Sequence, residues 1–180
     1  GGDHSITYSL FKGFCKKNKD VGLLIFDAHP DCSFYVKSIS HEDFVRKLVD
    51  EGILRRENLV YVGLRKFGKS EVAFLKGIKC FDMKDIFLNI EEVCDSVMEI
   101  CRGFKEFYLS IDIDVLDPAF APGTGYLEPG GLSARELIYF VSRIKLLKNL
   151  KRIDLVEVNP EKDINGITVK NAAKILSELI

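Results

Sequence analysis

Two short apolar runs, each followed at once by acidic side chains, constrain this sequence more than any other feature. The runs cover residues 21–26 and 107–111, and they lead directly into the polar segments 27–31 and 112–114. Nearly unbroken apolar strands are typical of parallel sheets that helices cover on both faces. Open α/β sheets bind ligands at the carboxyl ends of such strands. The pattern therefore predicts an α/β domain with a ligand site at that end of its sheet.

The remaining sequence alternates short apolar runs with longer periodic segments, as α/β domains with parallel sheets do. We predict five strands, over residues 21–26, 59–62, 78–81, 107–113 and 152–158. We predict five helices, over residues 5–16, 41–50, 90–101, 133–147 and 169–179. The helix over 133–147 has the strongest signal, because Ser133 and Glu136 match a capping box and four apolar residues follow at helical spacing. The long segment 114–132 is predicted to be a functional loop.

Composition narrows the class of protein. The 26 Lys and Arg residues balance 27 Asp and Glu residues, so no basic excess indicates nucleic acid or a membrane surface. The five cysteines are scattered and form no Cys-x-x-Cys pair, which argues against a structural zinc site or a disulfide framework. We therefore predict a cytoplasmic protein. A length of 180 residues fits one domain, which we assign to residues 1–180.

Six side chains in three short segments are good ligands for transition metals. They are two imidazoles and four carboxylates: His4, Asp27, His29, Asp31, Asp112 and Asp114. Four buried carboxylates that converge would repel one another unless cations neutralised them. Two divalent ions would cancel the four charges. The sequence therefore predicts a dinuclear metal site.

Other interpretations of the single motifs exist. Segment 27–31 could be a solvated polar loop, and His4 could be a helix cap or a core residue. A calcium loop of the EF-hand type would need a ligand at Leu116 and a glycine at Asp117, so that interpretation fails. A phosphatase with an aspartyl nucleophile usually has Thr or Val where Leu116 stands. The metal interpretation rests on the three segments together.

The three segments also resemble a known family. Residues 1–5 read Gly-Gly-Asp-His-Ser, residues 27–31 read Asp-Ala-His-Pro-Asp, and residues 110–118 read Ser-Ile-Asp-Ile-Asp-Val-Leu-Asp-Pro. In this order they resemble the signatures of the arginase–agmatinase (ureohydrolase) family, and agmatinase is the closest in appearance. Segment 157–160, Glu-Val-Asn-Pro, is similar to the family's guanidinium-binding segment. The resemblance extends from residue 1 to about residue 163.

The resemblance implies a three-layer α/β/α fold with a mainly parallel sheet, as in arginases and deacetylases. Family members have further strands before the first signature, so we expect this sequence to be truncated at its N-terminus and to lack those strands. The predicted strand over 152–158 would then lie at an edge of the sheet. The resemblance also implies a homo-oligomer, a trimer or a hexamer, if the protein is complete.

Two Mn²⁺ ions are the implied cofactors. One ion would be held by four side chains, namely His4, Asp27, Asp31 and Asp112. The other would be held by His29, Asp27, Asp112 and Asp114. Asp27 and Asp112 would thus bridge the pair. A ligand set rich in oxygen with added imidazole suits Mn²⁺ better than thiolate-bound zinc or copper.

The implied reaction is hydrolysis of a guanidino C–N bond with release of urea. Asp31 would orient the attacking water, and Glu157 would hold the guanidinium through charge-assisted hydrogen bonds. His41 matches the family's proton shuttle, a role that suits a histidine near neutral pKa. Glu42 follows it, where agmatinases usually have glycine. These assignments make Asp31, His41 and Glu157 the predicted catalytic residues.

The substrate is the least defined part of the prediction. Arginases place an asparagine for the α-carboxylate where Ser33 stands, and segment 66–69 lacks their acid for the α-amino group, although Glu71 follows. Ser33 and Glu71, with Glu157, are therefore the predicted substrate-binding residues. We therefore expect a guanidino-amine, most simply agmatine, which hydrolysis converts to putrescine and urea in polyamine biosynthesis. Alternatives are arginase, guanidinobutyrase or formimidoylglutamase activity, a deacetylase-like amide hydrolase with one zinc, and an impaired domain with a binding role.

Overall fold

The structure is a computed structural model that describes residues 1–16, 20–35 and 38–180. Its centre is a sheet of five strands: β1 (Val21–Phe26), β2 (Leu59–Leu64), β3 (Lys79–Asp82), β4 (Glu106–Asp112) and β5 (Leu150–Val156). The order across the sheet is β3-β2-β1-β4-β5, and every neighbouring pair is parallel. No end of a strand differs from its predicted position by more than two residues.

Seven helices surround the sheet in the described part of the chain: α1 (Ile6–Phe14), α2 (Phe44–Asp50), α3 (Lys69–Leu75), α4 (Met83–Leu88), α5 (Ile90–Gly103), α6 (Ala134–Ile144) and α7 (Ile167–Leu179). Helices α1, α2 and α3 bury their apolar residues on one face, with Leu23 and Ile25 of β1. Helices α4 to α7 cover the other face, with Leu24 and Phe26. The predicted three-layer α/β/α fold with a parallel sheet is confirmed.

The predicted helices are present, with shifted ends. The capping box of α6 forms as expected: the backbone N–H of Ser133 donates to Glu136 at 2.7 Å, and Glu136 N–H donates to Ser133 Oγ at 3.2 Å. The apolar residues of α6 that recur at helical spacing are buried: Leu137, Phe140, Val141 and Ile144. None of the helices in the described ranges is both long enough and apolar enough to cross a membrane.

Helix α2 begins at Phe44 rather than at His41, because residues 40–43 form a turn. Asp43 closes this turn by accepting hydrogen bonds from the backbone N–H of Ser40 at 2.9 Å and from its hydroxyl at 2.7 Å. His41 therefore precedes the helix instead of lying within it. Helices α3 and α4 were not predicted, since each is shorter than eight residues and buries a single side chain.

The topology of the sheet predicts a ligand site at the carboxyl ends of β1 and β4. From β1 the chain proceeds outward through β2 to β3, then returns to the opposite side of β1 for β4 and β5. The strand order thus reverses between β1 and β4, and open α/β sheets bind ligands at such a switch point. Asp27 follows β1 directly, and Asp112 is the last residue of β4.

The first residues of the chain lie along β5, the outermost described strand on its side of the sheet. The amino group of Gly1 donates to the carbonyl oxygen of Leu155 at 2.9 Å. The N–H of Glu157 donates to the carbonyl oxygen of Gly2 at 3.0 Å. These two bonds bring His4 to the carboxyl end of the sheet, where it is fully buried.

Candidate metal centre

The polar segment after β1 reaches the site by turning, not by extending the strand. We expected alternate residues of segment 27–31 to share one face of an extended chain, but the backbone bends at Ala28 and His29. Asp31 has a φ of 45°, in the left-handed region that non-glycine residues rarely adopt. The explanation by strand periodicity was therefore wrong. A turn places the side chains of the segment instead.

The first group of ligand atoms surrounds Nδ1 of His4. This nitrogen lies 3.1 Å from Asp27 Oδ2, 3.0 Å from Asp31 Oδ2 and 3.2 Å from Asp112 Oδ2. All four side chains are buried. The group contains the four residues that the family resemblance assigned to one ion.

Two buried polar side chains hold the imidazole of His4 through Nε2, the nitrogen that faces away from the carboxylates. Asp154 Oδ1 accepts a hydrogen bond from Ser110 Oγ at 2.6 Å, and Ser110 Oγ lies 2.8 Å from His4 Nε2. Because the serine proton goes to the carboxylate, Nε2–H of the imidazole donates to the serine oxygen. Burial lowers the pKa of His4, but the carboxylates of Asp112, Asp27 and Asp31 outweigh it and raise the pKa well above its ordinary value, so Nδ1 carries a proton that faces them. A cation that displaced this proton would meet the lone pair of Nδ1. Outer partners commonly orient metal-binding histidines in this way.

The second group of ligand atoms is centred on His29. Its Nδ1 lies 2.9 Å from Asp114 Oδ2 and 3.5 Å from Asp27 Oδ1. Asp27 therefore directs one carboxylate oxygen toward each histidine. Oδ1 of Asp112 accepts the backbone N–H of Asp114 at 2.8 Å. The two groups are consequently adjacent and share Asp27.

The charges of the cluster shift its pKa values strongly. Burial and the neighbouring charge of Asp27 raise the pKa of Asp31 to about 8. Burial and the charge of Asp114 raise the pKa of Asp112 well above its ordinary value. Burial lowers the pKa of His29, but the carboxylates of Asp114 and Asp27 outweigh it and raise the pKa to about 11. Without metal ions, protons thus supply the positive charge that the cluster needs.

The donor set fits divalent cations. Nδ1 of His4 and Oδ2 of Asp27 are buried and lack a well-directed hydrogen bond within the described residues, although three oxygens lie close to that nitrogen. An octahedral ion with bonds of about 2.1 Å separates neighbouring ligand atoms by about 3.0 Å. The distances from Nδ1 of His4 to the three carboxylate oxygens, 3.0 to 3.2 Å, agree with this value. A shared cation would satisfy both unpaired atoms.

A pocket of about 210 Å³ opens over both groups. All predicted residues outside the ligand set line it: Ser33, His41, Glu71 and Glu157. Glu157 has a φ of 63° and accepts the backbone N–H of His4 at 2.7 Å. Strained residues of this kind concentrate at functional sites. Ser33 donates to Glu71 Oε1 at 3.1 Å, so these two side chains form one unit at the pocket wall.

Arg65 organises the loop behind Asp114, a role that the sequence analysis missed. Its guanidinium donates to carbonyl oxygens of five residues: Gly63, Asp114, Val115, Leu116 and Glu128. Arg65 thereby ties the end of β2 to the long loop after β4. The signal available in the sequence was a single arginine after an apolar strand, and such a residue usually lies on the surface.

Two further pocket residues lie in the segment 114–132, which was predicted only as a functional loop. Tyr126 approaches both imidazoles, with its ring centre 5.9 Å from those of His29 and His41. Thr124 is 3% exposed, and its hydroxyl has no hydrogen-bond partner among the described residues. An unpaired hydroxyl at a pocket wall is available to a ligand.

Comparison with known proteins gives a consistent result over the whole chain. The model of the family described as the arginase family matches residues 1–180. Mitochondrial arginase 1 of Oryza sativa subsp. indica is 35% identical over an alignment of 185 positions, which covers 99% of this chain and 53% of that protein. The human mitochondrial guanidino acid hydrolase is 35% identical over an alignment of 191 positions, which covers 100% of this chain and 53% of that protein.

Solved structures agree with the sequence matches. The crystal structure of a hypothetical agmatinase from Burkholderia thailandensis superposes with a TM-score of 0.91 and 34% identity. The match covers 99% of this chain and 56% of that one. The chain thus spans about half the length of the curated relatives that it matches.

Proposed function

The chain belongs to the arginase family, and on that premise we propose that its protein hydrolyses a guanidino C–N bond with two Mn²⁺ ions and releases urea. One observation carries the proposal. Two adjacent groups of ligand atoms, joined by Asp27, lie at the base of an acidic pocket. This arrangement is suited to paired divalent ions, and the pocket is suited to a cationic substrate.

The residues of the two groups would hold the ions. The first set consists of His4, Asp27, Asp31 and Asp112. The second consists of His29, Asp27, Asp112 and Asp114, so both sets include Asp27 and Asp112. When bound, paired divalent ions lower the pKa of a shared water toward neutrality. Asp31 lies both in the first group and at the pocket wall, so its carboxylate is suited to orient that water toward a substrate.

Glu157 would receive the guanidinium. Its backbone has a left-handed conformation, and its carboxylate is fixed from one side by the N–H of His4. Burial raises the pKa of Glu157, and the bond from His4 opposes that rise. A carboxylate held in this way pairs well with the planar, permanently charged guanidinium.

His41 would carry the proton that the leaving amine requires. Its Nε2 is buried and lacks a hydrogen-bond partner among the described residues, yet the side chain as a whole is 37% exposed. The ring therefore connects the pocket with solvent. A free imidazole nitrogen in that position is suited to general acid catalysis.

Agmatine is the substrate that the pocket favours. Six carboxylates line it, from Asp31, Glu42, Glu71, Asp112, Asp114 and Glu157, and no lysine or arginine of the described residues does so. A substrate with a terminal ammonium group suits this excess of negative charge better than one with a terminal carboxylate. Ser33 is already engaged by Glu71, which leaves it little capacity to receive an α-carboxylate. We also expect an oligomer in the cytoplasm.

Urea release from the full-length protein loaded with Mn²⁺ tests the proposal. We expect turnover of agmatine to exceed that of arginine, 4-guanidinobutanoate and formimidoylglutamate. Asp112→Asn should abolish turnover, since it removes a ligand charge from the centre. If the protein bound two ions and released urea or formamide from none of these compounds, the proposed function would be wrong. A single bound ion would favour the deacetylase-like alternative.

A further inference from the structure

The acidic pocket contains two carboxylates more than the proposed chemistry uses, those of Glu42 and Glu71. Asp31, Asp112 and Asp114 belong to the groups that would hold the ions, and Glu157 faces the guanidinium. Glu71 is anchored by the hydroxyl of Ser33 at 3.1 Å and by the N–H of Gly68 at 2.7 Å. Glu42 has neither a ligand role nor a backbone anchor of this kind.

The side chain of Glu42 is aimed by an aromatic neighbour. The hydroxyl of Tyr126 donates to Glu42 Oε1 at 3.3 Å, across 84 residues of sequence. His41 Nε2 lies 3.9 Å from the same oxygen. Tyr126 also approaches the ring of His29, so it connects the metal groups with the pocket mouth. Glu42 is therefore held over the pocket although its side chain is 58% exposed.

An independent observation indicates that a ligand completes this pocket. Thr124 is 3% exposed, and its hydroxyl lines the pocket without a hydrogen-bond partner in the described ranges. A buried hydroxyl left unpaired is costly, so native proteins usually pair it with protein, water or ligand. Thr124 is two residues from Tyr126, which places the unpaired hydroxyl and the aimed carboxylate on one loop.

The charge balance identifies the kind of group that Glu42 would bind. With two divalent ions opposite four aspartates and a guanidinium opposite Glu157, the pocket mouth keeps the charges of Glu42 and Glu71. A terminal ammonium would neutralise them, whereas a terminal carboxylate would meet two like charges. Arg46 donates to the carbonyl oxygen of Ser33 at 3.0 Å, behind this wall, but its side chain does not line the pocket.

We propose that Glu42, held by Tyr126, is the residue by which this protein selects a guanidino substrate with a distal ammonium group over one with a distal carboxylate. The inference rests on the proposed hydrolysis and adds the residue that determines substrate choice. Glu42 occupies a position where the resemblance predicts glycine, so the selection would be a feature of this chain and not of agmatinases in general.

Two substrates of equal length test the proposal. Agmatine and 4-guanidinobutanoate share the guanidinium and differ at the far end, where one has an ammonium and the other a carboxylate. In the full-length Mn²⁺ protein, Glu42→Gln should lower kcat/KM for agmatine about tenfold, mostly through KM, since one charge-assisted contact is lost. It should leave kcat/KM for 4-guanidinobutanoate unchanged or raised. Glu42→Lys should reverse the preference.

Three controls make the result specific. Tyr126→Phe keeps the ring but removes the hydroxyl that orients Glu42. The ratio of kcat/KM for agmatine to that for 4-guanidinobutanoate should therefore fall, by a smaller factor than in Glu42→Gln. Glu99→Gln changes an exposed glutamate of α5 that does not line the pocket, and it should alter neither substrate's kcat/KM. Inhibition by 1,4-diaminobutane, which needs no turnover, should weaken in parallel in Glu42→Gln.

The possible failures are distinguishable. If urea is released but the ratio of the two kcat/KM values is the same in Glu42→Gln, Glu42→Lys and the parent, the role of Glu42 is refuted while the hydrolase function stands. If neither substrate yields urea in a protein with two bound ions, the hydrolase function is refuted and the role of Glu42 with it.

Discussion

The two histidines of the candidate metal centre sit in opposite surroundings. His4 is fully buried, lies 4.6 Å from the ring of Phe44, faces three carboxylates and is backed by Ser110. His29 has a side chain that is 22% exposed, faces one carboxylate closely and a second at 3.5 Å, and lines the pocket. The first group is enclosed by protein, whereas the second opens toward a ligand.

This difference predicts that the two groups bind their ions with different affinities and exchange rates. Attraction between opposite charges strengthens when water is excluded, so the enclosed group should bind its ion more tightly. Three carboxylates lie close to His4, whereas one lies equally close to His29. The open group has fewer ligands and contact with the pocket, so its ion should exchange faster and lie nearer the substrate. Four experiments test this comparison.

Asp27→Ala should have the largest effect, because its two oxygens face the two histidines. Removing a partner from buried charges costs about 3–5 kcal/mol, which corresponds to roughly 10²–10⁴-fold in each Mn²⁺ dissociation constant. Calorimetric titration with Mn²⁺ measures both. Asp95→Ala, an exposed aspartate paired with Arg143, is the matched control. Two ions bound with parental affinity would contradict the sharing of Asp27.

Arg65→Ala should have the second-largest effect, and it should lower Mn²⁺ affinity mainly at the open group around His29. The guanidinium donates to several carbonyl oxygens of the loop that carries Asp114, and hydrogen bonds of charged groups contribute about 1.5–3 kcal/mol. We expect the free energy of unfolding to fall by about 3 kcal/mol and the weaker Mn²⁺ site to lose more affinity than the tighter one. Urea denaturation measures the first effect. A fall below about 1 kcal/mol would contradict the role assigned to Arg65.

Ser110→Ala should weaken the enclosed site alone. It breaks the link between His4 and Asp154 but leaves Asp154 bonded to Thr7 and Tyr108. Loss of an outer partner typically costs about 10–100-fold in metal affinity. Tyr108→Phe is the control, because it removes another donor to Asp154 without touching His4. If both variants lost the same Mn²⁺ affinity at the enclosed site, the effect would arise from packing and not from orientation of the imidazole.

Glu51→Gln should produce the smallest effect and none on either ion. The hydroxyl of Tyr8 and the ammonium of Lys12 lower the pKa of Glu51 from 4.5 to about 2. A lowered pKa stabilises the fold above pH 4.5, and this contribution disappears as pH falls toward 2. The group is exposed, so the contribution should stay below about 1 kcal/mol and decrease with salt. Denaturation at pH 7 and pH 3 measures it.

A large part of the fold followed from local patterns. The apolar runs of β1 and β4 are long enough to identify buried strands, and the capping box of α6 marks the start of that helix within one residue. Helices α3 and α4 lacked a run of apolar residues at helical spacing, because short helices on the surface need few of them, although Asp82 and Asp85 form a capping box at the start of α4. Periodicity misjudged segment 27–31, since a left-handed residue, Asp31, turns the chain there.

Sequence by itself determined the family, the parallel sheet and which side chains are available as ligands, because strand hydrophobicity and ligand chemistry are local properties. Tertiary structure decided how those side chains are grouped: three carboxylates around His4, one close carboxylate beside His29, and Glu42 aimed by a tyrosine far along the chain. It also revealed Arg65 and Asp154 as supports. Such groupings depend on the switch in strand order between β1 and β4, which brings distant segments together and which no local pattern encodes.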